Sequence, residues 1–226
     1  MSPIHAALLE QALAVQRRVL RPGESVFRVG EAFTSLHVIH SGFFKLLHFG
    51  DGRRLQLIGL LYKGDWLGFD GIARGDYGCE AVAMDTGEVW SMRYDELLKA
   101  CRARPDLLEM LHSEMSREMA RDRESMLALC TLPTDARVAQ FLRRWVDALA
   151  QRGLRTDSIT LRLTRAEIGD YLGMTVESVS RALSRLARAN LIEFAQKGRR
   201  EIGIPDAGAL SAFVQASVAP SAATLQ

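Results

Sequence analysis

The chain of 226 residues reads as an α+β protein in three consecutive parts: an N-terminal antiparallel β-roll, one long helix, and a compact C-terminal helical domain. Three observations predict this. Short apolar runs separated by turn signals fill residues 17 to about 94, an apolar stripe of helical period runs from about 95 to 131, and two short helical segments then meet at a glycine. The expected boundaries are 1–103 for the roll with a short N-terminal helix, 104–132 for the long helix, 133–207 for the C-terminal domain and 208–226 for a last helix end and flexible tail. A hydrophobic content of 48% is enough to pack two modest domains.

Ile4, Leu8, Leu9, Ala12 and Leu13 have helical spacing and predict the N-terminal helix. The β-rich runs VFRV, LHVIH, FFKLLHF, LQLIGLLY, AVAM and EVWSM follow, punctuated by PGE, SG, GDG, KGD and DTG. Short strands at such intervals predict a double-wound roll with a hollow between its sheets. Gly50-Asp51-Gly52 is the sharpest hairpin signal among them.

Pro105 suits the first turn of the long helix, along which Leu108, Leu111, Met115, Met119, Asp122, Met126 and Leu129 form one stripe. A stripe of this length outside any local globule calls for a second long helix, and a symmetric copy of the chain supplies one. A homodimer is therefore expected. Asp122 interrupts the stripe: in a parallel pair its two carboxylates would repel and oppose association, unless each bends outward to Arg121, Arg123 or water. The sequence leaves both open.

Leu132-Pro133-Thr134 ends this helix, and the next is expected to run to about Gln151 with Ala136, Val138, Phe141, Leu142, Trp145 and Leu149 inward. SITLRLT is a short strand, Thr164-Arg165-Ala166-Glu167 a capping box, and Gly173 the break before a helix from Thr175 to Ala189. Two short helices joined by a glycine-containing turn predict a helix-turn-helix. Ala166, Ile168 and Leu172 on the first helix and Val179, Leu183 and Leu186 on the second form the inner faces. Glu177, Ser178, Ser180, Arg181, Ser184, Arg185 and Arg188 then point outward, as a solvated surface or a reader of DNA. LIEFAQKGRREIGI predicts a small hairpin, a wing with Lys197 and Arg199 near its tip. Charge follows the same division. Residues 1–132 carry 16 Lys/Arg against 18 Asp/Glu, while residues 133–205 carry 13 against 8, the asymmetry expected if the C-terminal part meets an anionic polymer.

No apolar stretch approaches the roughly 18 residues of a membrane span, so a cytoplasmic protein is expected. Cys79, Cys101 and Cys130 suit neither a disulfide framework nor a metal site. No Ser/His/Asp, Cys/His or metal-ligand spacing suggests an enzyme.

A β-roll, a long helix and a C-terminal winged helix-turn-helix in this order resemble the CRP/FNR superfamily of bacterial transcription regulators over nearly the whole chain. LTRAEIGDYLGMTVESVSRALSRL and KGDWLGFDGIARG are similar to the FNR branch. The resemblance implies a cyclic-nucleotide-binding-like jelly roll and a homodimer on palindromic double-stranded DNA of the TTGAT-N4-ATCAA type. It places Glu177, Ser180 and Arg181 on the bases, with Thr175, Ser178, Arg185, Arg188, Lys197 and Arg199 on the backbone. It also implies activation, or repression at some sites, through RNA polymerase touched by the Gly50-Asp51-Gly52-Arg53 turn.

The departures bear on cofactors. Three distant cysteines, with Trp90 where the roll cysteine of the FNR branch is expected, argue against an iron–sulfur cluster. Leu67-Gly68-Phe69-Asp70 and Asp76-Tyr77-Gly78-Cys79 lack the Glu and Arg with which cAMP-binding members hold the cyclic phosphate. No cofactor is predicted, although His37, His40, His48 or Cys79 could each give haem a single ligand. The alternative function is a regulatory subunit of the same roll that senses haem, gas or redox state, with DNA binding secondary.

Overall fold

The computed structural model describes residues 3–50, 55–194 and 201–218. Two compact units divide the chain, Met1–Asp122 and Arg123–Gln226.

The first unit begins with helix α1 (Pro3–Ala12) and continues through strands β1 (Gln16–Leu20), β2 (Ser25–Phe27), β3 (Ser35–Ser41), β4 (Phe44–Phe49), β5 (Leu55–Leu61) and β6 (Trp66–Leu67). Helix α2 (Phe69–Arg74), strands β7 (Glu80–Ala83) and β8 (Gly87–Arg93), helix α3 (Tyr94–Ala103) and the first two thirds of the long helix α4 (Pro105–Thr131) complete its sequence of elements. The strands form two antiparallel four-stranded sheets, ordered β1-β8-β3-β6 and β2-β7-β4-β5.

Strand β3 shows why its apolar run is continuous rather than alternating. Ile39 faces the other sheet with Phe27, Phe44, Leu67 and Val89, whereas Leu36 and Val38 face outward beneath Leu9, Leu97, Leu107 and Met110 of the helices. Successive side chains of a strand point to opposite faces, and both faces of this one are covered. Fully burying each such Leu or Ile contributes about 1.5–3 kcal/mol before entropy is counted. Strand β1 is not among the predicted strands because only Leu20 of its five residues is buried; pairing with β8 makes it a strand. The predicted β4–β5 hairpin is present, with Phe49 opposite Leu55, and residues 51–54 at its tip lie outside the described residues.

Helix α4 divides the predicted stripe between two faces. Leu107, Met110 and Leu111 are buried in the roll's outer cluster, which Met115 joins. Leu111 and Met115 are therefore committed to packing within the protomer, contrary to the expectation that they line a seam with a second helix. The face left exposed carries Leu108, Met119, Asp122, Met126, Leu127 and Leu129. Arg121, one expected outward partner for Asp122, is bonded instead to Asp65 at the start of β6.

The second unit contains helix α5 (Thr134–Ala150), strand β9 (Ser158–Thr160), helices α6 (Arg165–Leu172) and α7 (Val176–Arg188), strands β10 (Glu193–Phe194) and β11 (Glu201–Gly203), and helix α8 (Ala207–Val218). Helix α5 is its centre, burying Ala136, Val138, Phe141, Leu142, Trp145 and Leu149 as predicted, together with Ala139, Val146 and Ala148. It packs against α7 and α8. The three strands form one antiparallel sheet ordered β10-β11-β9, in which β10 and β11 belong to the predicted wing hairpin and β9 to the separately predicted strand SITLRLT.

Candidate nucleic-acid interface

Two short helices and a three-residue link build the surface. Helix α6 opens on the predicted capping box: the Thr164 backbone N–H donates to Glu167 at 2.8 Å and the Glu167 N–H donates to the Thr164 hydroxyl at 3.2 Å. It closes at Gly173, whose φ of 61° lies in the left-handed region that glycine adopts without strain. Gly169 supplies the close approach, since a Cβ there would stand 2.6 Å from the Met174 carbonyl oxygen. Ile168, Gly169 and Leu172 face inward, while Ala166 is exposed, contrary to its expected inner position. The capping box, which fixes the first turn, puts Ala166 on the solvent side.

Helix α7 begins at Thr175, whose hydroxyl accepts the Ser178 N–H at 3.2 Å and donates to the Ser178 hydroxyl at 3.1 Å. Of the two expected backbone-contacting hydroxyls, that of Thr175 thus also caps the helix, and that of Ser178 accepts from it. Val179, Ala182, Leu183 and Leu186 are buried, and the helical period turns Glu177, Ser180, Arg181, Ser184, Arg185 and Arg188 outward. The carboxyl of Glu177 is held below the usual range, first by its own backbone N–H and the Thr175 hydroxyl, with the charge of Arg181 one turn on adding to them. Glu177 therefore remains an acceptor at neutral pH, beside Arg181, which is also expected to lie on the bases.

The arginines are not equivalent. Arg185 donates from Nε to Oδ2 and from Nη2 to Oδ1 of Asp135, each at 2.6 Å, while Arg188 reaches the Ser184 carbonyl at 3.4 Å. Asp135 lies 50 residues earlier in the chain, and its pairing with Arg185 was not foreseen from the sequence. Lys197 and Arg199 of the wing, and Asp51, Gly52 and Arg53 of the expected polymerase-contacting turn, lie outside the described residues. Gly50 of that turn directly follows β4.

In the roll, Asp70 Oδ2 accepts the Gly78 N–H at 2.8 Å and lies 4.0 Å from the Cys79 sulfur. Burial and the Asp70 charge push the Cys79 thiol up to about 12, and burial raises that of Cys101. Arg74 Nε is engaged by Asp76 at 2.9 Å, and His48 Nδ1 donates to the Gly78 carbonyl at 2.8 Å. His37 is 5% exposed between Ser91 and Tyr77. His40 stacks on Trp90 with ring centres 4.6 Å apart.

A recognition helix on a helix-turn-helix, joined to a β-roll through a long helix, defines a class of DNA-binding regulators, and family models match both ends of the chain. A Crp-like helix-turn-helix domain covers residues 136–213 and a cyclic nucleotide-binding domain residues 17–104. The chain belongs to the CRP/FNR superfamily of transcription regulators. It is 32% identical to the transcriptional activator protein Anr of Pseudomonas protegens over 201 residues, 89% of this chain and 81% of that protein. Over 184 residues it is 30% identical to the fumarate and nitrate reduction regulatory protein of Escherichia coli, covering 81% and 73% of the two chains. The solved structure of FixK2 from Bradyrhizobium japonicum superposes with a TM-score of 0.74 at 25% identity, covering 88% of this chain and 97% of that one. The protein is a DNA-binding transcription regulator and not an enzyme.

Proposed function

We propose that the protein acts as a homodimer on a palindromic TTGAT-N4-ATCAA site, chiefly as an activator. One α7 helix per protomer enters each of two successive major grooves, about 34–36 Å apart. Arg181 donates a bidentate pair to guanine, Glu177 accepts from a cytosine or adenine amino group, and Ser180 meets the neighbouring base. The observation that carries this reading is the outward face of α7, on which these three side chains are exposed above a fully buried Val179-Ala182-Leu183-Leu186 stripe. Arg188 and the wing face the phosphates. The exposed apolar face of α4 receives its counterpart from a second copy of the chain, and a roll surface around Gly50 meets RNA polymerase. No helix among the described residues is long and apolar enough to cross a membrane, which accords with action on DNA in the cytoplasm.

The roll works without a cyclic nucleotide in this account. The Gly78 N–H is already given to Asp70, and Arg74 is given to Asp76, so an entering phosphate would meet carboxylates where it needs donors. The residues do not fit that ligand. Neither haem nor a cluster is invoked: His37 has both ring nitrogens engaged, and the three cysteines are dispersed.

The test is fluorescence anisotropy with the palindrome and single-base variants at one fixed salt concentration. Arg181→Ala is expected to lose about 1–3 kcal/mol on the palindrome and to relax the preference at one base pair. Uniform weakening on every sequence, with the base preference intact, would remove Arg181 from base reading.

A further inference from the structure

The partner of Arg185 changes what the recognition helix offers to DNA. Asp135 stands in the first turn of α5, and its carboxylate holds the guanidinium through two bonds of 2.6 Å. Both groups remain within reach of solvent, with 44% of the Arg185 side chain and 24% of the Asp135 side chain exposed. A bidentate carboxylate matches the fork geometry that a phosphate would use, so the two anions compete for the same donors. A partly exposed ion pair adds little to folding stability, which leaves the charge balance of the surface as its main consequence. Asp135 cancels one of the three arginine charges of α7, and does so at a point fixed by the packing of α5 against α7.

We propose that Asp135 is a specificity-determining residue: it withholds Arg185 from the phosphate backbone, so that binding depends more on base contacts and less on charge. This rests on the reading of α7 as the recognition helix. Non-specific affinity comes almost wholly from phosphate contacts, and each one formed steepens the salt dependence of log K by about 0.9. Glu177 and Asp135 then limit indiscriminate grip at the two ends of α7, Glu177 by repelling phosphate and Asp135 by occupying a cation.

The experiment measures affinity against salt concentration for wild type, Asp135→Asn and Asp135→Asn/Arg185→Gln, on the palindrome and on a scrambled duplex of equal composition. Asp135→Asn is expected to bind both duplexes more tightly, with a slope steeper than wild type by about 0.9. The double variant, which replaces a neutral pair with another, is expected to return to the wild-type slope. An unchanged slope in Asp135→Asn overturns the proposal. So does a double variant flatter than wild type by about 0.9, because Arg185 would then be on phosphate despite Asp135. If Asp135→Asn does not fold, judged by its circular dichroism, the double variant decides alone. A wild type that binds both duplexes equally sinks the base-reading assignment while the slopes still judge Asp135; a wild type that binds neither overturns both.

Discussion

His37 is a buried histidine whose protonation state the structure fixes. The Tyr77 hydroxyl donates to the Ser35 carbonyl at 2.7 Å, so it accepts from His37 Nε2, and Nδ1 in turn accepts from the Ser91 hydroxyl at 2.8 Å. A neutral imidazole satisfies every bond in that chain, whereas a second ring proton would face the Ser91 hydroxyl and burial. Burial, with the charge of Arg18 adding to it, pushes the imidazole down to about 4. A depressed folded-state value means that the stability it contributes is present above the unfolded value of 6.5 and is lost as pH falls toward 4. The roll is expected to lose about 3 kcal/mol through that window, read by urea unfolding at a series of pH values. His37→Gln keeps hydrogen-bonding groups without the titration and should remove this slope; an equal slope in the variant would place its origin elsewhere. Glu118 works in the opposite direction. Burial and the charges of Asp122, Asp70 and Asp65 push its carboxyl up to about 7 against the pull of Arg121. Its contribution is therefore greatest below pH 4.5 and declines as pH rises to 7. Glu118→Gln, measured in the same series, should gain stability above pH 7 relative to wild type and none below pH 4.5.

At the scale of elements, α4 separates two kinds of apolar residue that a single period cannot distinguish. Leu111 is 4% exposed in the roll's own cluster, and Met119 is 57% exposed. Leu111→Ala is expected to cost about 2–5 kcal/mol of protomer stability in denaturant unfolding at low protein concentration. Met119→Ala should leave that value nearly unchanged and weaken self-association in sedimentation experiments; the reverse pattern would reassign the two faces. The sequence carried the helix and its length because Pro105 and Leu132-Pro133 bracket it, but a stripe at steps of three and four does not say which globule covers which residue. The helix-turn-helix was the most legible element, because its capping box, its Gly173 and its buried Val179, Leu183 and Leu186 are all local signals. The elements that escaped were those made by partners distant in sequence: β1 by its pairing with β8, and the two-residue β6 by its place beside β3. The Asp135–Arg185 pair escaped for the same reason, since nothing in the sequence around either residue points to the other.

At the scale of the whole molecule, charge and fold divide the labour. The basic excess lies in residues 133–205, with the helix-turn-helix and the wing, whereas residues 1–132 are slightly acidic, with Asp65, Asp70 and Glu118 close enough to influence one another and with Asp70 and Asp76 holding the Gly78 N–H and Arg74. A roll whose Gly78 N–H and Arg74 are already taken by carboxylates is expected to ignore the ligand for which its family model is named. A ligand that binds only the folded state stabilises it by about 2.7 kcal/mol at a hundredfold excess over Kd, enough to move a thermal midpoint by several degrees. Thermal scans with millimolar cAMP or cGMP should therefore superpose on those of the protein alone, and DNA affinity should not change. Asp70→Ala provides the stricter arm. Removing this carboxylate frees the Gly78 N–H, yet Asp76 still holds Arg74, so the variant is also expected to show no shift with nucleotide. A shift in wild type would overturn the proposal for the roll. A shift confined to Asp70→Ala would identify Asp70 as the one group that keeps the nucleotide out.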